Sequence, residues 1–224
     1  MHYRRAKNDA NQQEELHELT LMSLNIRGFN GEEKQQVIGE LIHQEKPHVI
    51  CLNETKLTIP IYLDNYWSHQ TVLQRNGGTW VAATNKVIMT LVKSLGTYLC
   101  WTRVTTGRYA VQVLSCYLEP GQEPFKVERA KRVTDIIKDI IKQDAEAAIV
   151  VCGDFNNHIP HMYRELHFLG FSRAIDPRVI THTLGGHLDH VFARGVDITN
   201  AVVNDGFDSG ITDHKCLKVT LKLK

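Results

Sequence analysis

The sequence predicts an α/β protein of two packed β-sheets with helices on their outer faces, and three observations carry the prediction. Short apolar runs rich in β-branched residues, such as Ala148-Ile149-Val150-Val151-Cys152, recur along the chain and read as buried strands. Two segments, Gly31 to Gln44 and Phe125 to Lys142, carry apolar residues at helical spacing. Between Tyr66 and Tyr117 several strands follow one another, divided by turn signals and without a helix among them. Strand-helix-strand units combined with a run of strands call for layered sheets covered by helices.

Taken in order, Leu19 to Ile26 is the first strand, and the helix after it carries Val37, Leu41 and Ile42 before Pro47 stops it. His48 to Leu52 is the next strand and delivers Asn53-Glu54. Strands are then predicted at Thr71 to Gln74, Thr79 to Thr84, Val87 to Val92, Tyr98 to Val104 and Tyr109 to Tyr117, with turns at Gly77-Gly78, Asn85-Lys86, Gly96 and Thr106-Gly107, which together read as a β-meander. The long helix presents Val127, Ala130, Val133, Ile136, Ile137, Ile140 and Ile141 on one stripe. Beyond Cys152 come a shorter helix, Met162 to Leu169, and strands at Leu188 to Ala193, Ile198 to Val203 and Lys215 to Lys222.

Composition narrows the classes. The 224 residues, 42% hydrophobic and 23% charged, fit one globular domain at 19–224 with a core large enough to fold unaided, preceded by a polar arm at 1–18. The 26 Lys+Arg and 25 Asp+Glu nearly cancel, so a nucleic-acid partner must be held by a local basic patch and not by overall charge. Cys51, Cys100, Cys116, Cys152 and Cys216 are odd in number, lack C-x-x-C spacing and lie mostly in apolar runs. Reduced thiols in a nuclear or cytoplasmic protein are the expectation, not a disulfide framework or a zinc site. No apolar run is long enough to predict a membrane span.

The chemistry is carried by polar residues at strand ends: Asn25, Glu54, Tyr117, Asp154, Asn156, Asp189, Asp213 and His214. In Gly153-Asp154-Phe155-Asn156 a carboxylate and an amide two apart follow a buried strand, which places both side chains on one side of its end. Gly-Asp and Asn-Asn also make ordinary turns, and it is the recurrence of the pattern along the chain that favours a site. Carboxylates with an asparagine and no nearby cysteine favour a hard cation, Mg²⁺ with Mn²⁺ as substitute, over zinc. Such a set suits metal-assisted phosphodiester hydrolysis.

The segments Leu24-Asn25-Ile26-Arg27-Gly28, Leu52-Asn53-Glu54-Thr55-Lys56, Cys116-Tyr117, Gly153-Asp154-Phe155-Asn156, Leu188-Asp189-His190 and Thr212-Asp213-His214-Lys215 resemble the ordered motifs of the endonuclease/exonuclease/phosphatase superfamily. Within it the chain looks most like the apurinic-like endonuclease domain of non-LTR (LINE-type) retrotransposons, where Gly-Asp-Phe-Asn followed by His158 is typical. The resemblance implies a deoxyribonuclease I-like, four-layered α/β sandwich of two packed mixed sheets flanked by helices. It implies an Mg²⁺-dependent endonuclease that nicks one strand of double-stranded DNA to leave a 3′-hydroxyl and a 5′-phosphate, with a reverse transcriptase domain as a partner in the same polyprotein. Glu54, Asn25 and Asp213 would serve the metal, and Asp154 would activate water. Asn156 would hold the phosphate or that water, and His214 would contact the phosphate with Asp189 behind it. Tyr117 would donate to the phosphate or assist the leaving oxygen. Lys56, Arg27, Arg108 and Thr183 would face the DNA.

The chain departs from this pattern in three places. Arg27 stands where apurinic repair enzymes have an acidic residue, Asn53 stands where glutamine is common, and Tyr117 leads into Leu118-Glu119 where a Pro-Asn pair is frequent. A stand-alone apurinic-type repair nuclease, a superfamily phosphatase or phosphodiesterase and a catalytically inactive binding module are the rival readings. His190 reads as a packing residue, and His182 and His187, flanking Gly185-Gly186, read as surface or packing histidines, with an approach to DNA from this tight hairpin as the alternative.

Overall fold

The computed structural model describes residues 15–71, 75–121, 125–156, 159–204 and 210–224. The chain runs β1 (Glu18–Asn25), α1 (Glu32–Glu45), β2 (Val49–Asn53), β3 (Tyr66–Gln70), β4 (Thr79–Thr84), β5 (Ile88–Leu95), β6 (Leu99–Thr106), β7 (Tyr109–Tyr117), α2 (Phe125–Gln143), β8 (Ala148–Asp154), α3 (Ile159–Phe168), β9 (Ser172–Arg173), β10 (Asp189–Arg194), β11 (Asp197–Asn204) and β12 (Cys216–Lys222). These strands form two mixed six-stranded sheets, ordered β11-β12-β1-β2-β4-β3 and β5-β6-β7-β8-β10-β9. Each sheet has a parallel pair at its centre, β1 with β2 and β7 with β8, joined through α1 and α2 respectively. All other strand pairs are antiparallel.

Strand periodicity builds the four layers. Successive side chains point to opposite faces of a sheet, so Leu19, Leu21, Val49 and Cys51 of one sheet meet Val111, Val113, Val150 and Cys152 of the other in the central core. The alternate residues Met22, Leu24, Ile50 and Leu52 face outward and are covered by Ile38 and Ile42 of α1. Leu114, Cys116, Ile149 and Val151 do the same beneath α2 and α3. Every core strand is therefore apolar on both faces, which is why these segments read as continuous hydrophobic runs. All five cysteines are free and buried. Burial pushes the Cys100 thiol up to about 12, out of the range in which a reactive thiolate forms.

Several boundaries differ from the sequence expectation. The run from Tyr66 to Tyr117 is not one meander, because β3 and β4 join the first sheet while β5, β6 and β7 begin the second. The strand expected at Thr71 to Gln74 lies earlier, at β3, and residues 72–74 are outside the described residues. Strand β9, two residues long, carried too little pattern to be read. On α1 the buried apolar pair is Ile38 and Ile42, not Val37. On α2 Ala130, Val133, Ile137 and Ile140 are buried, whereas Val127 is 44% exposed one turn too early to reach the sheet. Of the polar arm expected at 1–18, residues 1–14 lie outside the described residues, while Leu16 packs on the central core and Glu18 opens β1. No described helix is long and apolar enough to cross a membrane.

Gly153 sets how closely the second parallel pair can approach the first sheet. Its φ of 130° lies outside what an L-side chain readily adopts, and a Cβ there would sit 2.0 Å from the Cys116 carbonyl oxygen and 2.9 Å from Asn53 Oδ1. Just beside it Asn53 Nδ2 donates to Ser115 Oγ at 3.2 Å, a buried hydrogen bond between the sheets. Gly153→Ala is expected to cost more than about 2 kcal/mol, since backbone on β7 must move and the conformation is strained, as read by urea unfolding. In the same assay Ile137→Ala should cost about 2–5 kcal/mol, while Val127→Ala should stay within about 0.5 kcal/mol. Equal costs for the two helix variants would contradict the facing of α2.

Candidate active site

One end of the sandwich gathers the polar residues. The parallel strands β1, β2, β7 and β8 run to this end and finish in Asn25, Asn53, Tyr117 and Asp154, with Asn25 opposite Asn53 and Tyr117 opposite Asp154 in register. Antiparallel β10 starts here with Asp189 opposite Asp154, and Asp213-His214 enters just before β12. Residues far apart in sequence thus converge because parallel and antiparallel strands present opposite termini to one edge.

Asn25 is fully buried and its Nδ2 donates to Asp154 Oδ2 at 2.7 Å and to Glu54 Oε2 at 3.1 Å, while its Oδ1 accepts the Arg27 amide at 3.0 Å. Asp154 also accepts the Asn156 amide on Oδ1 at 2.8 Å, an Asx turn that starts the following loop. Asn156 Nδ2 donates to the Leu118 carbonyl at 2.9 Å. Asp189 Oδ2 lies 2.8 Å from His214 Nδ1, and His214 Nε2 lies 3.9 Å from Asp154 Oδ2 and 3.8 Å from Asp213 Oδ1. The carboxylate on Nδ1 selects the tautomer and leaves Nε2 facing the site.

Electrostatics follow from the burial. Asp154 is pushed up to about 7 by burial and by the negative charge of Asp189, against the opposing pull of His214, the Asn156 amide and Asn25. Burial alone would lower His214, but the hydrogen bond and charge of Asp189, with Asp154 and Asp213, outweigh it and its pKa is raised. Tyr117 is held well above its ordinary value by burial and by Glu54 and Asp154, so it remains a neutral phenol. A base poised near neutrality beside a histidine whose pKa is raised by the carboxylates around it is an acid–base pair suited to proton transfer.

Four of the six non-glycine residues with left-handed φ among the described residues are here: Arg27, Glu54, Lys56 and Asn156. They persist because the surrounding backbone is cross-tied, with Gly28 N donating to Glu54 O at 2.7 Å, Phe29 N to Thr55 O at 2.8 Å and Lys56 N to Gly77 O at 2.8 Å. Strain held in place by neighbouring structure is typical of functional sites.

The cationic residues divide. Lys56 Nζ lies 2.6 Å from Glu54 Oε1, and Arg27 Nη1 lies 2.6 Å from Asp213 Oδ2 while 56% of the Arg27 side chain stays exposed at the rim of the site. Arg108 lies apart from this cluster, at the far end of β7 from Tyr117, nine residues or about 30 Å along an extended strand, paired with Glu15 and Tyr109. Thr183 does border the cluster, its amide donating to the Asp213 carbonyl at 2.8 Å. His158 lies outside the described residues.

Among the described residues two groups of possible metal-ligating side chains have their ligand atoms within 4.8 Å, Asp154 with Asp189 and His214, and His182 with Asp213 and His214. Glu54 belongs to neither and is instead linked to the cluster through Asn25. Asp213 Oδ1 is buried without a hydrogen-bond partner, an acceptor with an unfilled position. Oxygen donors with such an orphan fit a hard divalent cation.

Sequence reading missed several contributors. Thr181 Oγ1 accepts the amides of Leu188 and Asp189 at 2.9 and 3.0 Å, and Thr212 Oγ1 donates to the Asn25 carbonyl at 2.7 Å. Lys34 reaches from α1 to the Ile26 carbonyl at 2.9 Å. Its pKa is lowered by burial and by Arg27 and Lys56, so the three cations share one rim. His182, read as a surface or packing histidine, packs edge-on against His214 with ring centroids 4.7 Å apart. A hydroxyl two residues before His214 was the one local signal available, since Ser/Thr turns bond this way. His190 is a packing residue as expected, fully buried and stacked on Phe192.

Residues 22–214 match the model of the Endonuclease/Exonuclease/phosphatase family. Among curated proteins none matches the chain by sequence. The endonuclease domain of TRAS1, a telomere-specific non-LTR retrotransposon, superposes with a TM-score of 0.71 at 12% identity, covering 92% of this chain and 99% of that one. An AP endonuclease from Archaeoglobus fulgidus gives 0.69 at 15% identity over 92% of this chain and 100% of that one. The 3′ phosphatase NExo from Neisseria, bound to a product DNA hairpin, gives 0.68 at 13% identity over 90% and 98% respectively. These likenesses show the deoxyribonuclease I-like sandwich, and the match over 22–214 shows the descent: the chain belongs to the endonuclease/exonuclease/phosphatase family, whose enzymes cleave phosphate esters.

Proposed function

We propose that the protein is an Mg²⁺-dependent DNA endonuclease that nicks one strand of a duplex to leave a 3′-hydroxyl and a 5′-phosphate, and that this hydroxyl primes reverse transcription by a reverse transcriptase of the same retroelement. The observation that carries the reading is the buried Asp154 facing the Asp189-backed His214, with Asn25 linking Asp154 to Glu54. The similarity to the TRAS1 endonuclease domain supports the retroelement setting.

Asp154 takes a proton from water as the water oxygen bonds to phosphorus and the bond from phosphorus to the 3′ oxygen breaks. His214, protonated on Nε2, donates to a non-bridging oxygen and offsets the charge that develops there. The leaving 3′ oxygen is protonated from solvent, and the neutral Tyr117 phenol donates to the phosphate or to that oxygen. Asn156, pinned by Leu118, orients the water or the phosphate. Glu54, Asn25 and Asp213 would hold Mg²⁺, or Mn²⁺ in its place. Once bound, the cation supplies Lewis-acid stabilisation of the phosphate charge. Lys56, Lys34 and Arg27 form the local basic rim that a nearly neutral chain needs to hold a polyanion, and Thr183 borders the same opening.

Asp154→Ala and His214→Ala should each reduce nicking of supercoiled plasmid about a thousandfold or more with the circular dichroism spectrum intact, and EDTA should stop the wild-type enzyme. Robust nicking in EDTA, or by either variant, would sink the mechanism. The pH profile gives a separate check. Removing the negative charge in Asp189→Asn lets Asp154 ionise at lower pH and withdraws the group that keeps His214 protonated. Both limbs of the profile should therefore move toward acid. An alkaline limb that stays in place would show that His214 does not act as a cation backed by Asp189.

A further inference from the structure

His182 was unassigned, yet it stands inside the site, and its hydrogen bonds say what it does. Its Nδ1 accepts the Leu184 amide at 3.1 Å, so in the tautomer this bond selects the proton is on Nε2. That protonated nitrogen lies 3.3 Å from Asp213 Oδ2. A histidine that ligates a metal does the reverse, offering a bare nitrogen to the ion and donating its other N–H to a neighbour. The group His182, Asp213 and His214 is compact enough to resemble a two-histidine, one-carboxylate metal site, but the Leu184 amide removes His182 as a ligand.

What remains is asymmetry in Asp213. Its Oδ2 faces both cationic or donor partners, Arg27 at 2.6 Å and His182 at 3.3 Å. Its Oδ1 is buried, has no hydrogen-bond partner, and lies 3.8 Å from His214 Nε2. The position of His182 is itself rigid. The Gly186 carbonyl accepts the amides of Thr181 and His182 at 2.9 and 3.0 Å, and Gly185 N donates back to His182 O at 2.9 Å, which closes a tight turn. Thr183 N and Lys215 N lace that turn to the Asp213 segment.

We propose that His182 is a positioning residue, which together with Arg27 holds Asp213 by Oδ2 so that Oδ1 alone is presented to the divalent cation. The inference rests on the metal-dependent reading of the site. It gives the Gly-Gly turn a role in assembling the metal site in addition to any contact with DNA. It also accounts for Arg27, a cation that occupies the outer oxygen of Asp213.

The test compares His182→Phe, which keeps a ring against His214 and removes the donor, with His182→Gln, whose amide nitrogen reaches the place of Nε2. Mn²⁺ binding to DNA-free protein is measured by titration calorimetry, with thermal midpoints and the half-saturating Mn²⁺ for nicking recorded alongside. The phenylalanine variant should bind Mn²⁺ about tenfold or more weakly, and the glutamine variant should recover to within about threefold of wild type, the range seen when a residue behind a metal ligand is changed. Should the phenylalanine variant not fold, His182→Ala against His182→Gln makes the same comparison. Unchanged Mn²⁺ affinity in the donor-less variant overturns the proposal, as does a glutamine variant no better than phenylalanine or a wild type that binds no Mn²⁺. A wild type that binds Mn²⁺ but nicks no DNA would refute the nuclease reading while leaving the His182 comparison to be decided by binding alone.

Discussion

The side-chain amide of Asn25 is the tie on which the end of this sandwich depends. It is fully buried, and from the last residue of β1 it donates across the gap between the sheets to Asp154 and sideways to Glu54. Without it a buried carboxylate on one sheet would face a carboxylate on the other with no donor between them, and like charges held that way are strongly unfavourable. The backbone on either side is arranged to keep Asn25 still. Thr212 holds its carbonyl and the Arg27 amide holds its Oδ1. A neutral, two-donor side chain is therefore what lets two sheets with acidic edges close over one site.

Burying Asp154, Asp189 and His214 together costs free energy that a purely structural core would not incur. The structure offsets that cost unevenly. Asp189 is satisfied by the Thr181-anchored turn and by His214, whereas Asp154 keeps a raised pKa despite the donors it receives. One buried carboxyl group thus has its pKa raised by its surroundings while the other backs a histidine through a hydrogen bond, which is how one fold can provide a base and a backed histidine together. The exposed cations then act on the carboxylates nearest solvent, Lys56 on Glu54 and Arg27 on Asp213.

Precision at the site comes from the scaffold beneath it. Gly153 permits β7 and β8 to run close to the crossing with Asn53, and the Asn53–Ser115 hydrogen bond joins the sheets beside Asn25. The strained residues Glu54 and Asn156 leave the strands in left-handed conformation and so turn their side chains back over the edge. The cores between layers, apolar on both faces of each central strand, supply the stability that holds those conformations.

The sequence by itself determined the layers and most of the site's membership. Short runs apolar at both parities and rich in β-branched residues, such as Ile149-Val150-Val151-Cys152, read as strands covered on two sides, which puts the polar residue at the end of each one at a sheet edge. Asn25, Glu54, Tyr117, Asp154, Asp189, Asp213 and His214 were legible for that reason. What the sequence could not carry was any relation between strands that are not neighbours in the chain. The division of the run from Tyr66 to Tyr117 between two sheets depends on pairing partners that local pattern does not encode. The direction of Arg27 toward Asp213 and the entry of His182 were decided only when the turn at Gly185-Gly186 packed against the Asp213 segment. Local chemistry chooses strand, helix and turn over a few residues, whereas which nitrogen meets which oxygen across 186 positions, as for Arg27 and Asp213, is fixed by tertiary packing alone.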